Sequence, residues 1–440
     1  MTIPTPGSKD TSPQTQTQMP AQGPTAAFPA LPPVDGGKDA WLFLGACFVV
    51  EALIWGFPFA FGVFQNFYST HAPFAGSPHI PIIGTCAMGI MYIDIPLVMG
   101  ILQRFPHLAR WFPLSGLTIM CLSLALSSLS TTVTHLIATQ GVLYAIGGSI
   151  AYAPCIIYTD QWFVRRKGLA YGVMWSGTGL AGVVLPLLLE TLLSRHGFAT
   201  TLRVFASVIF AATAPLVYFI KPRLPPITHT AHAPTASFAF LRDPQFWYYQ
   251  AFNVLEATGY FLPAIYLPSY AAAVLGASPT LSALSVLLLN VASVFGCVGM
   301  GGLIDRVHVT TCFLISSLGA AAGVFMLWGF SGSLPVLYVF AVVYGVFAGA
   351  FSSAWPGIMR EVTKPKPRGD PSMVFAFLAL GRGVGNLVSG PLSGALVKDM
   401  AWKGEAYGGY GSGYGALIAF TGATAVCGGG SFLWKRLGWL

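Results

Sequence analysis

After Lys38 the sequence is a succession of apolar runs, each roughly 20 to 28 residues long, separated by short polar breaks. A helix of that length crosses the hydrocarbon core of a bilayer. Only 8% of the 440 residues are charged and the mean hydropathy is +0.68, whereas ordinary soluble domains carry about 25% charged residues. The chain is therefore predicted to be an all-α polytopic membrane protein.

The apolar runs form two sets of six, which predicts twelve transmembrane helices in two six-helix bundles. The first set is predicted at about 41–67, 80–102, 109–130, 133–158, 167–193 and 201–220, and the second at about 246–273, 278–303, 309–330, 334–358, 372–398 and 412–435. The predicted domains are a tail at 1–38, a first bundle at 39–220, a linker at 221–243 and a second bundle at 244–440. The tail is rich in Pro, Gln and Thr, so we expect it to be disordered.

The basic residues indicate membrane topology and no nucleic-acid partner. The chain has 22 Lys and Arg against 14 Asp and Glu, a formal net charge of +8, but the basic residues are scattered between apolar runs. If both termini are cytosolic, most of these residues fall in cytosolic tails and loops, as the positive-inside rule requires. We therefore predict that both termini, the tail and the linker lie in the cytosol. We also predict that the protein is a monomer and lies in the plasma membrane.

Two carboxylates lie at matching positions inside apolar runs. Glu51 precedes Pro58 by seven positions, and Glu256 precedes Pro263 by the same offset. In both stretches the Glu is followed by Ala, and an aromatic residue stands four positions after it. A charge at mid-membrane is costly and usually faces an interior or a water-filled path. These acids are predicted either to bind protons or cations in a shared cavity, or to act as structural hydrogen-bonding groups.

Other segments repeat at the same separation of about 200 residues, which extends the internal symmetry. Residues 142–146 resemble 342–346, and 177–179 resemble 381–383. Parallel halves related by an axis along the membrane normal are an architecture of secondary transporters. The repeat therefore predicts a site between two halves that opens alternately to each side of the membrane.

Arg382 lies between two glycines in the predicted eleventh helix and cannot shed its charge. Two readings stay open: it binds an anionic group of the substrate, or it is a fixed ion-pair partner of Glu51 or Glu256. The remaining cavity candidates are polar or aromatic residues inside predicted helices, and they are Trp55, Tyr260, Asn253, Asn290 and Asp94. For Asp94, a helix-packing acid and a coupling group are both considered.

Asp160, Arg165 and Arg166 surround the predicted cytosolic connection between the fourth and fifth helices, followed by Lys167. The basic residues either set topology by contacting lipid head groups or form a charge latch with Asp160 that holds one conformation. The sequence contains no nucleophile–base pair and no metal-ligand spacing, so neither an enzyme nor a metal or cofactor site is predicted.

Two motifs resemble signatures of the monocarboxylate-transporter-like branch of the major facilitator superfamily, most of all its fungal members. The first comprises residues 35–41 and 56–64, and the second comprises residues 158–172. Residues 301–306 resemble the superfamily loop between helices eight and nine, which makes Asp305 and Arg306 gating candidates. The resemblance implies twelve helices in two pseudo-symmetric bundles of the major facilitator fold.

Two positions depart from the pattern of members that carry small monocarboxylates with protons. Phe59 stands where those members often carry a Lys, and Asn290 and Cys297 occupy the neighbourhood of their eighth-helix Asp and Arg. Both departures weigh against lactate-like proton symport. The predicted function is alternating-access transport of a small organic acid or an amphipathic metabolite, with proton coupling and export left open. The alternative is a non-transporting membrane sensor of the same fold.

Overall fold

The computed structural model describes residues 31–224, 237–364 and 370–438. Most of the predicted tail and half of the predicted linker lie outside the described residues. The described residues from Pro32 onward form a single unit. They contain helices and loops without a strand, so the predicted all-helical fold is confirmed for this part of the chain.

The described residues up to 224, which we call the first part of the chain, form seven α-helices. They are α1 (Lys38–Thr70), α2 (Ile80–Ile93), α3 (Ile95–Arg104), α4 (Phe112–Ser127), α5 (Val133–Leu136), α6 (Tyr144–Trp162) and α7 (Lys167–Thr213). A π-helical segment, Ile137–Leu143, joins α5 to α6. A 3₁₀ segment, Ala214–Phe219, extends α7.

The described residues from 237 onward, which we call the second part, form nine α-helices. They are α8 (Pro244–Tyr260), α9 (Leu262–Leu275), α10 (Pro279–Ile304), α11 (Val309–Ala322), α12 (Leu334–Ala348), α13 (Trp355–Thr363), α14 (Pro371–Lys398), α15 (Gly415–Gly428) and α16 (Gly430–Arg436). A π-helical segment, Gly323–Trp328, follows α11.

Eight helical stretches of the described chain are long and apolar enough to cross a membrane, or nine if the bent pair α2–α3 is one span. That pair bends by 40° at Asp94. The bend follows from Pro96, whose ring and missing N–H interrupt a helix two residues after Asp94. Pro263 likewise follows Phe261, the break between α8 and α9, by two residues.

The long helix α7 contains a second kind of interruption. Gly197 has φ 71 and ψ 174, a conformation outside the helical region, so two helical arms meet there. The sequence predicts two helices in this stretch, at 167–193 and 201–220. The structure places the turn between them at Gly197, where the absence of a Cβ atom makes the positive φ accessible.

Glycines let helix α7 of the first part approach helix α10 of the second part closely. A Cβ atom on Gly168 or Gly172 would collide with the backbone of α10 around Gly301 and Cys297. Small residues permit this kind of backbone contact between membrane helices. Helix α14 packs in a similar way against α2 and α3, where a Cβ on Gly383 would meet Tyr92. These two seams join the first part of the chain to the second.

One face of the molecule gathers the start of α1 and the connections between several helices. The backbone N–H of Asp35 donates to the carbonyl oxygen of Trp162 at 3.0 Å, which brings the segment before α1 to the loop 163–166. Asp305, at the end of α10, contacts the start of α7. We call this side, defined by Asp35, residues 163–166 and Asp305, the terminal face.

Candidate functional site

A cavity of about 90 Å³ lies between the two parts of the chain. Its walls come from helices α1, α2, α6 and α7 on one side and from α8, α10, α13 and α14 on the other. Much of the lining is aromatic: Trp55, Phe59, Tyr92, Tyr152, Trp175, Tyr260, Trp355 and Phe375. Pockets lined mostly by apolar and aromatic side chains, with a few placed polar groups, are typical of small-molecule sites.

Glu51 projects from the middle of α1 into this cavity and is only 4% exposed. Its Oε1 accepts a hydrogen bond from the Thr178 hydroxyl of α7 at 2.7 Å. The other oxygen, Oε2, is buried and has no hydrogen-bond partner among the described residues. Beside the carboxylate lies the Tyr152 hydroxyl, which accepts a hydrogen bond from Trp175 Nε1 at 2.8 Å. Glu51 therefore keeps acceptor capacity that the protein does not use.

Glu256 has a different partner, although it occupies the equivalent position in the repeat. Its Oε2 lies 3.0 Å from Nη1 of Arg382 in a buried salt bridge between α8 and α14. The guanidinium of Arg382 also stacks 4.1 Å from the ring centre of Tyr260. Of the two readings open for Arg382, the structure shows the ion pair, and the pair is formed with Glu256. The charge of Arg382 is thereby balanced within the protein.

Four aromatic rings close the cavity toward the terminal face. Trp175 of α7 lies 5.9 Å from the ring centres of both Trp355 and Phe375, which come from α13 and α14. Tyr171 lies 6.1 Å from the ring of Phe375. Trp175 is eight residues into α7, which at 1.5 Å per residue is roughly 12 Å from its start. These four residues, which we call the aromatic floor, join the two parts of the chain between the acids and the terminal face.

The other cavity candidates divide into those that line the cavity and those that do not. Trp55, Tyr260 and Asn290 line it, and the Asn290 amide also donates to the carbonyl of Gly182 at 3.1 Å. Asn253 does not: its amide donates to the carbonyl of Leu378 at 2.8 Å, so it packs α8 against α14. The Asn253 side chain lies on the helix face that meets α14, and its role in binding stays a prediction.

Asp94 lies at the bend between α2 and α3, outside the cavity lining. The Ser149 hydroxyl of α6 donates to its Oδ1 at 2.6 Å. This contact gives Asp94 the geometry of a helix-packing acid, one of the two readings that the sequence left open.

The predicted latch around Asp160 is confined to the first part of the chain. Asp160 lies 2.7 Å from Nζ of Lys167 and accepts a hydrogen bond from the Tyr171 hydroxyl at 3.2 Å. The backbone N–H groups of Arg165 and Arg166 donate instead to the carboxylate of Asp35 at 2.9–3.0 Å. Since none of these contacts crosses to the second part, this cluster orders one loop without clamping the two parts together.

Asp35 also accepts a hydrogen bond from the N–H of Val164 at 2.9 Å. Partial burial acts to raise the pKa of Asp35, but the backbone donors outweigh burial and hold the pKa below its usual value of 3.8. The carboxylate form is therefore the one that fits this loop.

Asp305 makes the contact between the two parts that the Asp160 cluster lacks. Its two carboxylate oxygens accept from the N–H groups of Gly168 and Leu169 at 2.7 and 2.9 Å, at the start of α7. A carboxylate at a helix N-terminus is favoured by unpaired N–H donors and the helix dipole. Burial nevertheless raises the pKa of Asp305, against the effect of these donors. The neighbouring Arg306 is exposed.

Near the end of α3 lies Gln103, whose amide donates to a carboxylate oxygen of Asp370 at 2.5 Å. Asp370 precedes α14, so this contact also joins the two parts at the terminal face. It uses a neutral amide, whereas the contact at the end of α10 uses the acid Asp305.

Several cavity residues were not singled out from the sequence. They are Tyr92, Tyr152, Trp175, Thr178, Trp355 and Phe375. Aromatic residues are frequent throughout the apolar runs, so nothing in the sequence separates those that face the cavity from those that face lipid. Only Thr178 had a signal, because it occupies the position in the repeat 177–179 that corresponds to Arg382 in 381–383.

Among residues 31–224, 237–364 and 370–438, no group of three or more His, Cys, Asp and Glu side chains could hold a metal ion. The chemical groups of the site are its carboxylates, its guanidinium and its aromatic rings.

Comparison with known proteins gives a consistent picture. A family model described as Major Facilitator Superfamily matches residues 77–327, more than half of the chain. The chain is 27% identical over 369 residues to the MFS transporter asaE of Aspergillus flavus, covering 83% of this chain and 82% of that protein. It is 24% identical over 436 residues to the Fujikurins efflux protein of Gibberella fujikuroi, covering 98% and 89%.

Solved structures agree on the fold. The transporter FucP in its outward conformation superposes with a TM-score of 0.66 at 15% identity, covering 91% of this chain and 99% of that one. The nucleoside transporter NupG superposes with a TM-score of 0.60 at 15% identity, covering 90% and 98%. The family match does not distinguish a monocarboxylate-transporter-like branch.

Proposed function

Because this chain belongs to the Major Facilitator Superfamily, we propose that it is an exporter that carries an amphipathic small molecule across the plasma membrane by alternating access. The observation that carries this proposal is the aromatic cavity between the two parts of the chain, with buried Glu51 on one wall and Arg382, which pairs with Glu256, on the other. A site at the seam between two repeats is where a rocking transporter binds its cargo.

Twelve membrane crossings in two bundles of six are part of the proposal. The first bundle comprises α1, the bent pair α2–α3, α4, α5–α6 and the two arms of α7. The second comprises α8–α9, α10, α11, α12–α13, α14 and α15–α16. The breaks within these spans occur beside helices that can satisfy the freed backbone groups.

The contacts at the terminal face define one end of the transport cycle. The aromatic floor, the Asp305 contact with α7 and the Gln103–Asp370 contact all join the two parts on that side of the cavity. We propose that the terminal face is cytosolic, that both termini lie in the cytosol, and that these contacts separate when the site opens inward. The basic residues of the terminal loops support this orientation. We propose a monomer as the working unit.

Two observations favour export of an amphipathic molecule over uptake of a small organic acid. Relatives of this chain are named as efflux proteins for fujikurins and aspyridones. In addition, the cation of the cavity, Arg382, is already paired with Glu256, so it is not free to bind a small anion. The relatives are named as transporters and efflux proteins, which gives the sensor alternative no support.

Transport by the purified protein in liposomes tests this proposal. Vesicles are loaded with a cationic, a neutral and an anionic fluorescent dye of similar ring size, and dye release is followed with and without an imposed pH gradient. We expect at least one dye to leave faster than from protein-free vesicles, at a rate that depends on the gradient. A Glu190→Gln protein is the matched control, because Glu190 is exposed near the end of the first arm of α7, before Gly197. If no dye moves in any arm, the proposed function is wrong.

A further inference from the structure

Three buried polar atoms on the cavity lining have no hydrogen-bond partner among the described residues. They are Oε2 of Glu51 and the indole nitrogens of Trp55 and Trp355. The three residues are 4%, 4% and 2% exposed, respectively. An unpaired buried donor or acceptor is costly, and most buried polar groups in proteins have a partner. These atoms therefore mark places where a bound molecule supplies the missing partners.

The three atoms come from both parts of the chain. Glu51 and Trp55 are four residues apart on α1, so their side chains lie on the same face, about 5–6 Å apart at Cβ. Trp355 begins α13 in the second part, and its ring lies 5.9 Å from that of Trp175, whose indole is bonded to the Tyr152 hydroxyl beside Glu51. A molecule that contacts all three would bridge the two parts.

The charge of the lining has a definite sign. Arg382 is neutralised by Glu256 at 3.0 Å and covered by Tyr260. Glu51 accepts a hydrogen bond from the Thr178 hydroxyl and lies beside the Tyr152 hydroxyl, and it forms no ion pair among the described residues. When Glu51 is ionised, the cavity therefore carries one unbalanced negative charge surrounded by aromatic faces. Carboxylates and aromatic faces together attract organic cations.

We propose, on the basis of the export function above, that the cavity binds a lipophilic organic cation. Its positive charge lies against Oε2 of Glu51, its flat apolar body packs among the aromatic rings, and its carbonyl or ether oxygens accept from the indoles of Trp55 and Trp355. A small carboxylate fits this site poorly, because it would meet Glu51 as a like charge and find Arg382 already paired.

The same carboxylate oxygen then serves two ligands in turn. A proton on Glu51 neutralises the acid in the empty site, and the arriving cation replaces that proton, which leaves for the solution. One monovalent cation exchanges for one proton, so charge balances at the site. The titratable and charged groups that face Glu51 from the packed helices are Cys47, Tyr92, Tyr152, Cys297 and the Glu256–Arg382 pair.

Binding of two matched dyes to the full-length protein in detergent tests this inference. Tetramethylrhodamine methyl ester is a permanent lipophilic cation with an ester carbonyl. Its free acid has a carboxylate in place of the ester on the same cationic ring system, so its net charge is zero. By fluorescence anisotropy we expect the ester to bind roughly tenfold or more tightly than the free acid. We also expect its affinity to fall as the solution is acidified from about pH 7.5 to about pH 5.5, because protons compete for Glu51.

Variants assign the effect to Glu51. Glu51→Gln retains an oxygen that can accept from Thr178 but has no charge, so we expect the ester to bind roughly tenfold to a hundredfold more weakly and without pH dependence. Glu51→Asp should keep part of the affinity, and Glu190→Gln should match the parent. The pH series on the parent protein serves as the second test if Glu51→Gln does not fold.

The outcomes separate this inference from the function on which it rests. If the free acid or a neutral dye binds and is transported as well as the ester, the cation preference is wrong while export stands. Unchanged ester affinity in Glu51→Gln, or a pH-independent parent, also overturns the inference. If neither dye binds and no dye moves in liposomes, both proposals are wrong.

Discussion

Glu51 and Glu256 occupy equivalent positions in the two halves of an internal repeat, yet they have opposite surroundings. Glu256 is paired with Arg382 at 3.0 Å, whereas Glu51 accepts one hydrogen bond from Thr178 and has a buried oxygen without a described partner. Thr178 and Arg382 are themselves equivalent positions of the repeat. One half therefore contains a closed charge pair and the other an open acid, so similar sequence positions carry different chemistry in the two halves.

The terminal face shows the same divergence. Asp305 accepts hydrogen bonds from two backbone N–H groups of α7, while Gln103, near the end of α3 in the first half, donates to Asp370. Before the first helix of each half, Asp35 binds the loop 163–166, whereas Asp243 accepts from the N–H of Gln245 in its own helix at 3.1 Å. In each pair the two halves use related residues for different contacts.

The largest expected effect comes from breaking the closed pair. Arg382→Ala leaves the Glu256 carboxylate buried and unpaired, which should lower the free energy of unfolding by about 3–5 kcal/mol. Thermal unfolding of the purified protein measures this. Adding Glu256→Gln to Arg382→Ala should restore much of the loss, because the unpaired charge is then absent. A double variant as unstable as the single one would show that the charge pair is not the reason.

Removing the partner of the open acid should cost less. Thr178→Val deprives Glu51 of its hydrogen bond, and the expected loss in stability is about 1–3 kcal/mol. Thr191→Val is the matched control on the same helix, since the Thr191 hydroxyl is exposed and bonds to its own backbone at Leu187. If the two variants unfold alike, the Thr178–Glu51 contact contributes nothing measurable.

The asymmetry at the terminal face can be measured by hydrogen–deuterium exchange. Asp305→Ala removes the acceptor of the Gly168 and Leu169 amides, whose exchange should accelerate roughly tenfold, given about 1.5 kcal/mol for a charge-assisted bond. Gln103→Ala should leave the exchange of these two amides unchanged. Equal acceleration in both variants would mean that the Asp305 and Gln103 contacts open together.

The smallest expected effect concerns Asp35. Its pKa is held below 3.8 in the folded protein, so its contribution to stability is present above about pH 5 and is lost as pH falls through that lowered pKa. The contribution should be a few tenths of a kcal/mol, since the group is largely solvated. Asp35→Asn should flatten the acid side of the stability curve slightly. Glu405→Gln, at an exposed position, should leave that curve unchanged.

Much of the fold could be predicted from the sequence because hydropathy reports membrane crossing directly. The all-helical fold and the superfamily are confirmed. The breaks at Asp94 and Phe261 were not predicted, although Pro96 and Pro263 follow each by two residues. A proline allows either a kink or a continuous helix, and neighbouring helices decide between them.

The candidate site was predictable in part, for a related reason. A charge in an apolar run must face an interior, which brings Glu51 and Arg382 to one cavity, with Glu256 paired to Arg382 outside the lining. Which acid pairs with Arg382 depends on distances between helices, which sequence spacing does not contain. The same limit applies to Asn253 and to Trp355: the first packs against α14 and the second lines the cavity, yet both are single residues in apolar helices.

Proton release on ligand binding tests most directly the claim that the open acid, and not the closed pair, exchanges its ligand. Tetramethylrhodamine methyl ester is added to the detergent-solubilised protein in weakly buffered solution, and the released protons are titrated. The account predicts release in proportion to bound dye for the parent protein and for the double variant Glu256→Gln/Arg382→Gln, and none for Glu51→Gln. Release that persists in Glu51→Gln, or disappears only when Glu256 is replaced, would contradict it.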